Sequence, residues 1–272
     1  MKHQSNILAL KYRPLNFQDL IGQEYLVETI QKSIQQNKIP NAYIFTGIRG
    51  VGKTTTARIV AKMLNCTVFD KNNNPDLINC EQAKAITEDR HPDVIEIDAA
   101  SNTSVENARE IIENVKYNPV LGKYKVYIVD EVHMLSKSAF NALLKTLEEP
   151  PPHSKFIFAT TEISKVPITI LSRCQRFDLR RVEKKTLSDF LKSIAKKEDI
   201  TISNEALNLI VKASDGSVRD SLSILDQANV FKSQKEIQVE EIVNMLGFAR
   251  QGDLYELSKC ILDNNLSKLI SM

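Results

Sequence analysis

Nothing in this 272-residue sequence is concentrated. Net charge is nearly absent: 36 Lys and Arg against 34 Asp and Glu leave +2, so overall charge favours neither an acidic nor a basic partner. No polybasic run occurs, and composition alone gives no sign of direct DNA binding. Long apolar runs are missing too. The opening "MKHQSNILALKYRP" holds an apolar run of only four residues, far short of a secretory core. No other segment approaches the roughly 20 apolar residues of a membrane span, so no membrane role is expected. Cysteine occurs four times, at 66, 80, 174 and 260, too scattered for a disulfide scaffold. A reducing cytoplasm is the simplest reading. Internal repeats are absent, and low complexity is confined to "NNNP" at 72–75 and "PPP" at 150–152.

What is present is an ordinary globular balance, 42% apolar and 26% charged, in a chain long enough for one to two domains. Over residues 1–180 short β-rich runs alternate with helical patterns: "AYIF", "TTTARIVAKML", "DVIEID", "SVENAREIIENV", "KVYIVD", "KSAFNALLKTLEE" and "KFIFATT". Such alternation predicts an α/β fold, a parallel sheet with crossover helices. Val105, Ala108, Ile111, Ile112 and Val115 fall on one helical face. The strands read as nearly continuous apolar runs, as strands covered on both faces must. From 181 to 246 the period is helical throughout, in "KKTLSDFLKSIAKK", "SNEALNLIVKAS", "SVRDSLSILDQANVF" and "VEEIVNML", which predicts a second, smaller, all-helical domain. Residues 247–272 begin another helical pattern that stops abruptly, expected to be the start of a third domain.

Chemistry enters at "GIRGVGKT", 47–54, which matches G-x-x-x-x-G-K-[ST] between a predicted strand and a predicted helix. Gly47, Gly50 and Gly52 let backbone N–H groups curl around phosphates at a helix N-terminus, with Thr55 in the following turn. Lys53 supplies charge to the β- and γ-phosphates, and the Thr54 hydroxyl is a Mg²⁺ ligand. The strand "VYIVDEVH" ends in Asp130, a second contributor to the Mg²⁺ shell, and Glu131, placed to polarise an attacking water. Glu131 is alternatively a cap for the next element. "KFIFATT" ends in Thr160 and Thr161, hydroxyls able to position water or γ-phosphate, although threonines are common at strand ends. In "DGSVRDSL", Ser217 and Asp220 form a capping box that puts Arg219 in a first helical turn. A cation there opposes the helix dipole unless an anion faces it. The stretch "LSRCQRF" places a cation, Arg173, in an apolar and strand-like context. If it serves only architecture it needs a carboxylate, for which Asp178 and Glu162 are nearest at hand.

Taken together, "ALKYRP", "GIRGVGKTTTARIVAKMLNC", "HPDVIEIDAASNTSVENAREIIE", "YIVDEVHMLSKSAFNALLKTLEEPPP" and "ILSRCQRFDLRRV" resemble the gamma/tau family of bacterial DNA polymerase III subunits, the AAA+ motors of the clamp loader. The resemblance covers essentially the whole chain. It implies an AAA+ P-loop domain followed by a helical lid, and an ATPase that loads a sliding clamp onto primed DNA within a ring of other subunits. The polymerase core would be reached through regions outside this sequence. It also implies that Arg173 acts in trans as an arginine finger, that Thr161 and Arg219 are sensors, and that Tyr12, Arg13 and Pro14 contact the adenine side. Asn102 and Arg109 are implied contacts to DNA lining the ring's channel, with a solvated helix face as the alternative. A scaffold subunit that binds nucleotide without turnover is the competing function, disfavoured by intact Lys53, Thr54, Asp130 and Glu131. A small-molecule P-loop kinase is disfavoured by the helical domain and the Ser172–Arg173–Cys174 box.

One family feature is broken. The family's four-cysteine zinc module is reduced here to Cys66 and Cys80, with Leu77 and Ala83 at the flanking three-residue steps. Two thiolates cannot complete a tetrahedral structural site, and His91 belongs to the family's "HPD" regardless of metal. Zinc is not expected. Cys174 and Cys260 read as small core residues.

Overall fold

The computed structural model describes residues 7–70, 75–101, 105–231, 236–247, 259 and 261–263. In chain order its elements are α1 (Leu8–Lys11), α2 (Glu24–Gln35), β1 (Ala42–Thr46), α3 (Lys53–Asn65), α4 (Glu81–Thr87), β2 (Val94–Asp98), α5 (Val105–Val115), β3 (Lys125–Asp130), α6 (Lys137–Glu148), β4 (Ser154–Thr160), α7 (Ile168–Leu171), β5 (Gln175–Asp178), α8 (Lys184–Lys197), α9 (Asn204–Ala213), α10 (Val218–Phe231) and α11 (Val239–Leu246).

The five strands form one parallel sheet in the order β2-β3-β4-β1-β5. Chain order reverses at β1, which lies between β4 and β5, so the loop leaving β1 opens at the topological switch point where open α/β sheets bind ligands. Every residue of β1 and β4 is buried, the outcome expected of apolar strands sandwiched between helical layers. The edge strands β2 and β5 are half exposed, so the expectation of two covered faces applies only to the centre. One core lies on the α2 and α3 side of the sheet, with Ile30, Phe45, Ile59 and Ile157, and the other on the α5 and α6 side, with Ile44, Val115, Phe140 and Phe158. Truncating one of these phenylalanines to alanine costs about 3–5 kcal/mol, and both central ones sit under the site described below.

The helices follow from their sequences. Ser136 caps α6 by accepting from Ala139 N at 3.2 Å, and Ala139, Phe140, Leu143 and Leu147 then recur on its buried face. Ser203 caps α9 in the same way. Helices α8 to α11 enclose a third core of their own, including Leu187, Leu191, Ile210 and Leu225. Leu8, from α1, is buried in that same core, so α1 belongs with helices α8 to α11 rather than with the sheet.

Two expectations shift. The segment "LSRCQRF" is not strand throughout: Pro167 leads into the one-turn helix α7, and extended pairing begins only at Gln175. A four-residue apolar run is too short for its period to separate helix from strand. Of the predicted face on α5, Ile111 and Val115 are buried and Ile112 packs against the same core; the side chains of Val105 and Ala108 lie outside the described residues. Residues proposed as a third domain fall almost wholly outside them as well. Among the described residues, no helix is long and apolar enough to cross a membrane.

Candidate nucleotide site

The carboxyl edge of the sheet collects polar groups in register: Asp98 opposite Asp130, and Thr46 between Thr160 and Asp178. The loop after β1 closes over this edge. Gly52 caps α3 with φ of 103°, a left-handed conformation that side chains resist. Gly50, at φ 79°, is tighter still, because a Cβ there would lie 2.1 Å from Ser217 Oγ. That contact is with the helical unit: Gly50 O accepts hydrogen bonds from Val218 N at 3.1 Å and Arg219 N at 3.2 Å. The Ser217 hydroxyl meanwhile caps Asp220 N at 3.2 Å, the hydroxyl half of the expected capping box. The first turn of α10 is therefore bonded to the loop, which brings Arg219 to the wall of the cleft.

Inside the loop, Lys53 is 5% exposed and its Nζ donates to Ile48 O at 3.1 Å. Burial lowers its pKa, while the carboxylates of Glu131 and Asp130 work the other way. Thr54 Oγ1 donates to Asp130 Oδ2 at 2.5 Å, joining helix α3 to the end of β3. Glu131 follows with φ of 45°, a strained backbone for a residue with a side chain, costing about 1–3 kcal/mol. Its side chain is turned onto β4, where Oε2 accepts from Thr161 N at 3.1 Å and Thr161 Oγ1 at 3.0 Å.

The cleft has a volume of about 500 Å³, within the range of small-molecule sites. Tyr12, Arg13 and Pro14 form part of its wall together with Leu20, Phe190 and Leu222. Arg13 Nε donates to Thr55 Oγ1 at 3.3 Å, and burial lowers its pKa. Tyr12 donates its hydroxyl to Glu198, at the end of α8, which together with burial raises the phenol to about 12. Lys11 donates to the same carboxylate at 2.8 Å.

Not every predicted residue is here. Arg173 lies in a shallow depression lined by Asn41, Leu147, Glu148, Pro150 and Ser172. Asn41 immediately precedes β1, so this is the amino edge of the sheet, separated from the phosphate loop by the five-residue length of β1, about 16 Å. Its guanidinium donates to Thr169 O at 2.6 Å and pairs with Glu148, not with Asp178, which takes Arg176, nor with Glu162, which takes Lys165. Arg109 is exposed on α5 and apart from the cleft, while Asn102 and Cys260 lie outside the described residues. Sequence reading passed over His133, discussed below, and Glu198. His133 closes the quoted "VYIVDEVH" stretch and Glu198 stands in no motif, and each acquires its neighbours only through folding.

Cys66 and Cys80 meet in a small cluster with Ala83 and Leu77. Burial, with the neighbouring Cys80 thiol, pushes the Cys66 thiol up to about 12, and its Sγ donates to Val68 O at 3.1 Å. Among the described residues no group of three or more His, Cys, Asp or Glu is placed to hold a metal. The donor set does not fit a structural zinc.

A parallel sheet with a glycine-rich phosphate loop at its switch point, closed by a helical lid bonded to that loop, defines an AAA+ type P-loop protein. The fold agrees with solved structures of the Thermotoga maritima RuvB Holliday junction branch migration motor, which match with a TM-score of 0.64 over 92% of this chain and 79% of that chain at 17% identity. Family models are more specific: "DNA polymerase III, delta subunit" matches residues 22–183, and "DNA polymerase III clamp loader subunit, ATPase lid domain" matches residues 186–233. The tau/gamma subunit of Haemophilus influenzae is 47% identical over 89% of this chain and 35% of its own length. For the tau subunit of Bacillus subtilis the values are 46%, 94% and 45%, and for the gamma subunit of Buchnera aphidicola subsp. Schizaphis graminum 43%, 98% and 72%. The chain belongs to the gamma/tau family of DNA polymerase III subunits. It spans less than half the length of the first two of these relatives.

Proposed function

We propose that the chain is an ATP-hydrolysing motor subunit of a bacterial clamp loader, working in the cytoplasm within a ring of other loader subunits to place a sliding clamp on primed DNA. The observation that carries this reading is the Thr54–Asp130 hydrogen bond beside Lys53 and Glu131, which assembles the parts of a hydrolytic phosphate site from two separate segments, the start of α3 and the end of β3. Backbone amides of residues 50–54 and the Lys53 ammonium bind the β- and γ-phosphates. Thr54 and Asp130 would hold Mg²⁺, which would supply positive charge against the negative charge developing on the phosphates. Glu131 orients and polarises the attacking water, and Thr161 holds Glu131 by two hydrogen bonds. The apolar wall around Tyr12, Pro14 and Phe190 accepts the base, with Arg13 alongside. Arg219 approaches the phosphates from the lid.

Arg173 cannot serve this cleft, so it serves a neighbour's: a partly exposed cation at the opposite sheet edge completes the next subunit's site in trans. Arg109, exposed on α5, is the contact to the DNA backbone. The test is ATP turnover by the chain alone and with its partner subunits, clamp and primed DNA. Low turnover alone and a large rise on assembly are expected; no turnover in any assembly would make the chain a nucleotide-binding scaffold. Purified protein should carry no stoichiometric zinc by elemental analysis, and one zinc per chain would show that other side chains complete the Cys66–Cys80 pair.

A further inference from the structure

The residue two positions after Glu131 has no part in the scheme above. His133 sits in the one-turn 3₁₀ helix Val132–Met134 that the left-handed backbone of Glu131 initiates. Its side chain is only 6% exposed, yet both ring nitrogens face oxygen atoms of catalytic-edge residues. Nδ1 lies 3.0 Å from Thr160 Oγ1 and 3.4 Å from Glu131 Oε2. Nε2 lies 3.4 Å from Glu162 Oε1. Glu162 is tied down in turn, since its N–H donates to Thr160 Oγ1 at 3.1 Å and its carboxylate pairs with Lys165. The imidazole is thus wedged between two carboxylates and fixed to the end of β4.

We propose that His133 is a positioning residue for Glu131. This inference rests on the reading of Glu131 as the water-orienting carboxylate. All of the contacts described run to one oxygen: Thr161, just after β4, holds Oε2 with two hydrogen bonds, and His133 Nδ1 faces the same oxygen at 3.4 Å. With Oε2 fixed by its neighbours, Oε1 is the oxygen left to meet water. A carboxylate attached by a strained backbone and three rotatable bonds needs such contacts, because small displacements of a reacting group cost large factors in rate. Packing alone is an insufficient account of the site. A buried residue wanted only for volume would not place a nitrogen toward an acceptor on each side.

The experiment is a double-mutant cycle on the assembled loader, measuring kcat and, separately, ATP affinity. His133→Ala should lower kcat about 10- to 100-fold with ATP affinity within about twofold. His133→Phe, which keeps the ring volume without nitrogens, should be equally slow, and His133→Asn, whose amide reaches the Nδ1 position, should recover most of the rate. On a Glu131→Gln background, His133→Ala should cost less than about twofold, because residues acting through one another are not additive. Normal kcat in His133→Ala or His133→Phe overturns the inference, as does an effect that multiplies in full on the Glu131→Gln background. If His133→Ala folds poorly, the Phe and Asn variants decide alone, and equal rates in those two also overturn it. Wild-type turnover by Glu131→Gln sinks the Glu131 reading itself, whereas slow Glu131→Gln with normal His133 variants sinks only this one.

Discussion

The cleft and the Arg173 depression hold the two most exacting sets of charge in the chain, and they are built in opposite ways. In the cleft each group is held by another of the same chain: Lys53 by Ile48, Thr54 by Asp130, Glu131 by Thr161, Gly50 by the first turn of α10. At Arg173 the only carboxylate partner described is Glu148, itself half exposed, and the guanidinium donates otherwise to Thr169 O and Ser172 Oγ beside it. The cleft ties its charged groups to one another within one chain. The trans role proposed for Arg173 needs its guanidinium within a second chain's reach.

Removing Arg173 should therefore have the larger and more conditional effect. Arg173→Ala is expected to lower turnover of the assembled loader about 10³-fold or more while ATP affinity and folding stay unchanged. Mixing that variant with Lys53→Ala subunits sharpens the contrast, since turnover should then depend on which neighbour contributes the arginine. Equal turnover with and without Arg173 would return "LSRCQRF" to pure architecture. Inside the cleft, Glu131→Gln should slow hydrolysis about 10²- to 10⁴-fold in single-turnover kinetics with nucleotide still bound, the amide being nearly isosteric but a poor activator of water. Lys53→Ala should weaken ATP binding about 100-fold in a titration, through loss of a charge-assisted bond to phosphate. The smallest effect belongs to Glu148→Ala. The Arg173–Glu148 pair is exposed, so its loss should change stability by only about 0.2–1 kcal/mol in denaturant unfolding. A larger loss would mean that the pair is structural and the contrast false.

The sheet, the loop and the four lid helices were legible because each rests on a local pattern: strand runs of four to seven apolar residues, a glycine spacing, a helical period. The "KKTLSDFLKSIAKK" and "VEEIVNML" segments became α8 and α11 with nearly the same ends. Helix α2 was not counted in the alternation, since its apolar residues are diluted by glutamines: Leu26 and Ile30 are buried, while Val27 and Ile34 only pack against the core. The partner of Arg173 was not legible. Its place just before the last strand already sets it apart from the phosphate loop, but the pair with Glu148 joins the end of α6 to the turn before β5, a non-local fact. His133 is the same kind of case: its nearest partners, Thr160 and Glu162, come from β4 and the turn after it, brought close by the pairing of β3 and β4.

The bonds from Gly50 O to Val218 N and Arg219 N give the molecule a mechanical property. Helix α10 is about 20 Å long, and its first turn grips the phosphate loop while its far end reaches into the helical unit. Such a rod is a lever with a very short arm at the nucleotide. A tilt that moves the outer end by several ångströms displaces the inner end by a fraction of that, yet a fraction suffices to stretch two hydrogen bonds past their working length. A tilt of the helical unit is thereby geared down into a small, stiff displacement of the phosphate loop, and a displacement of the loop is magnified on its way out.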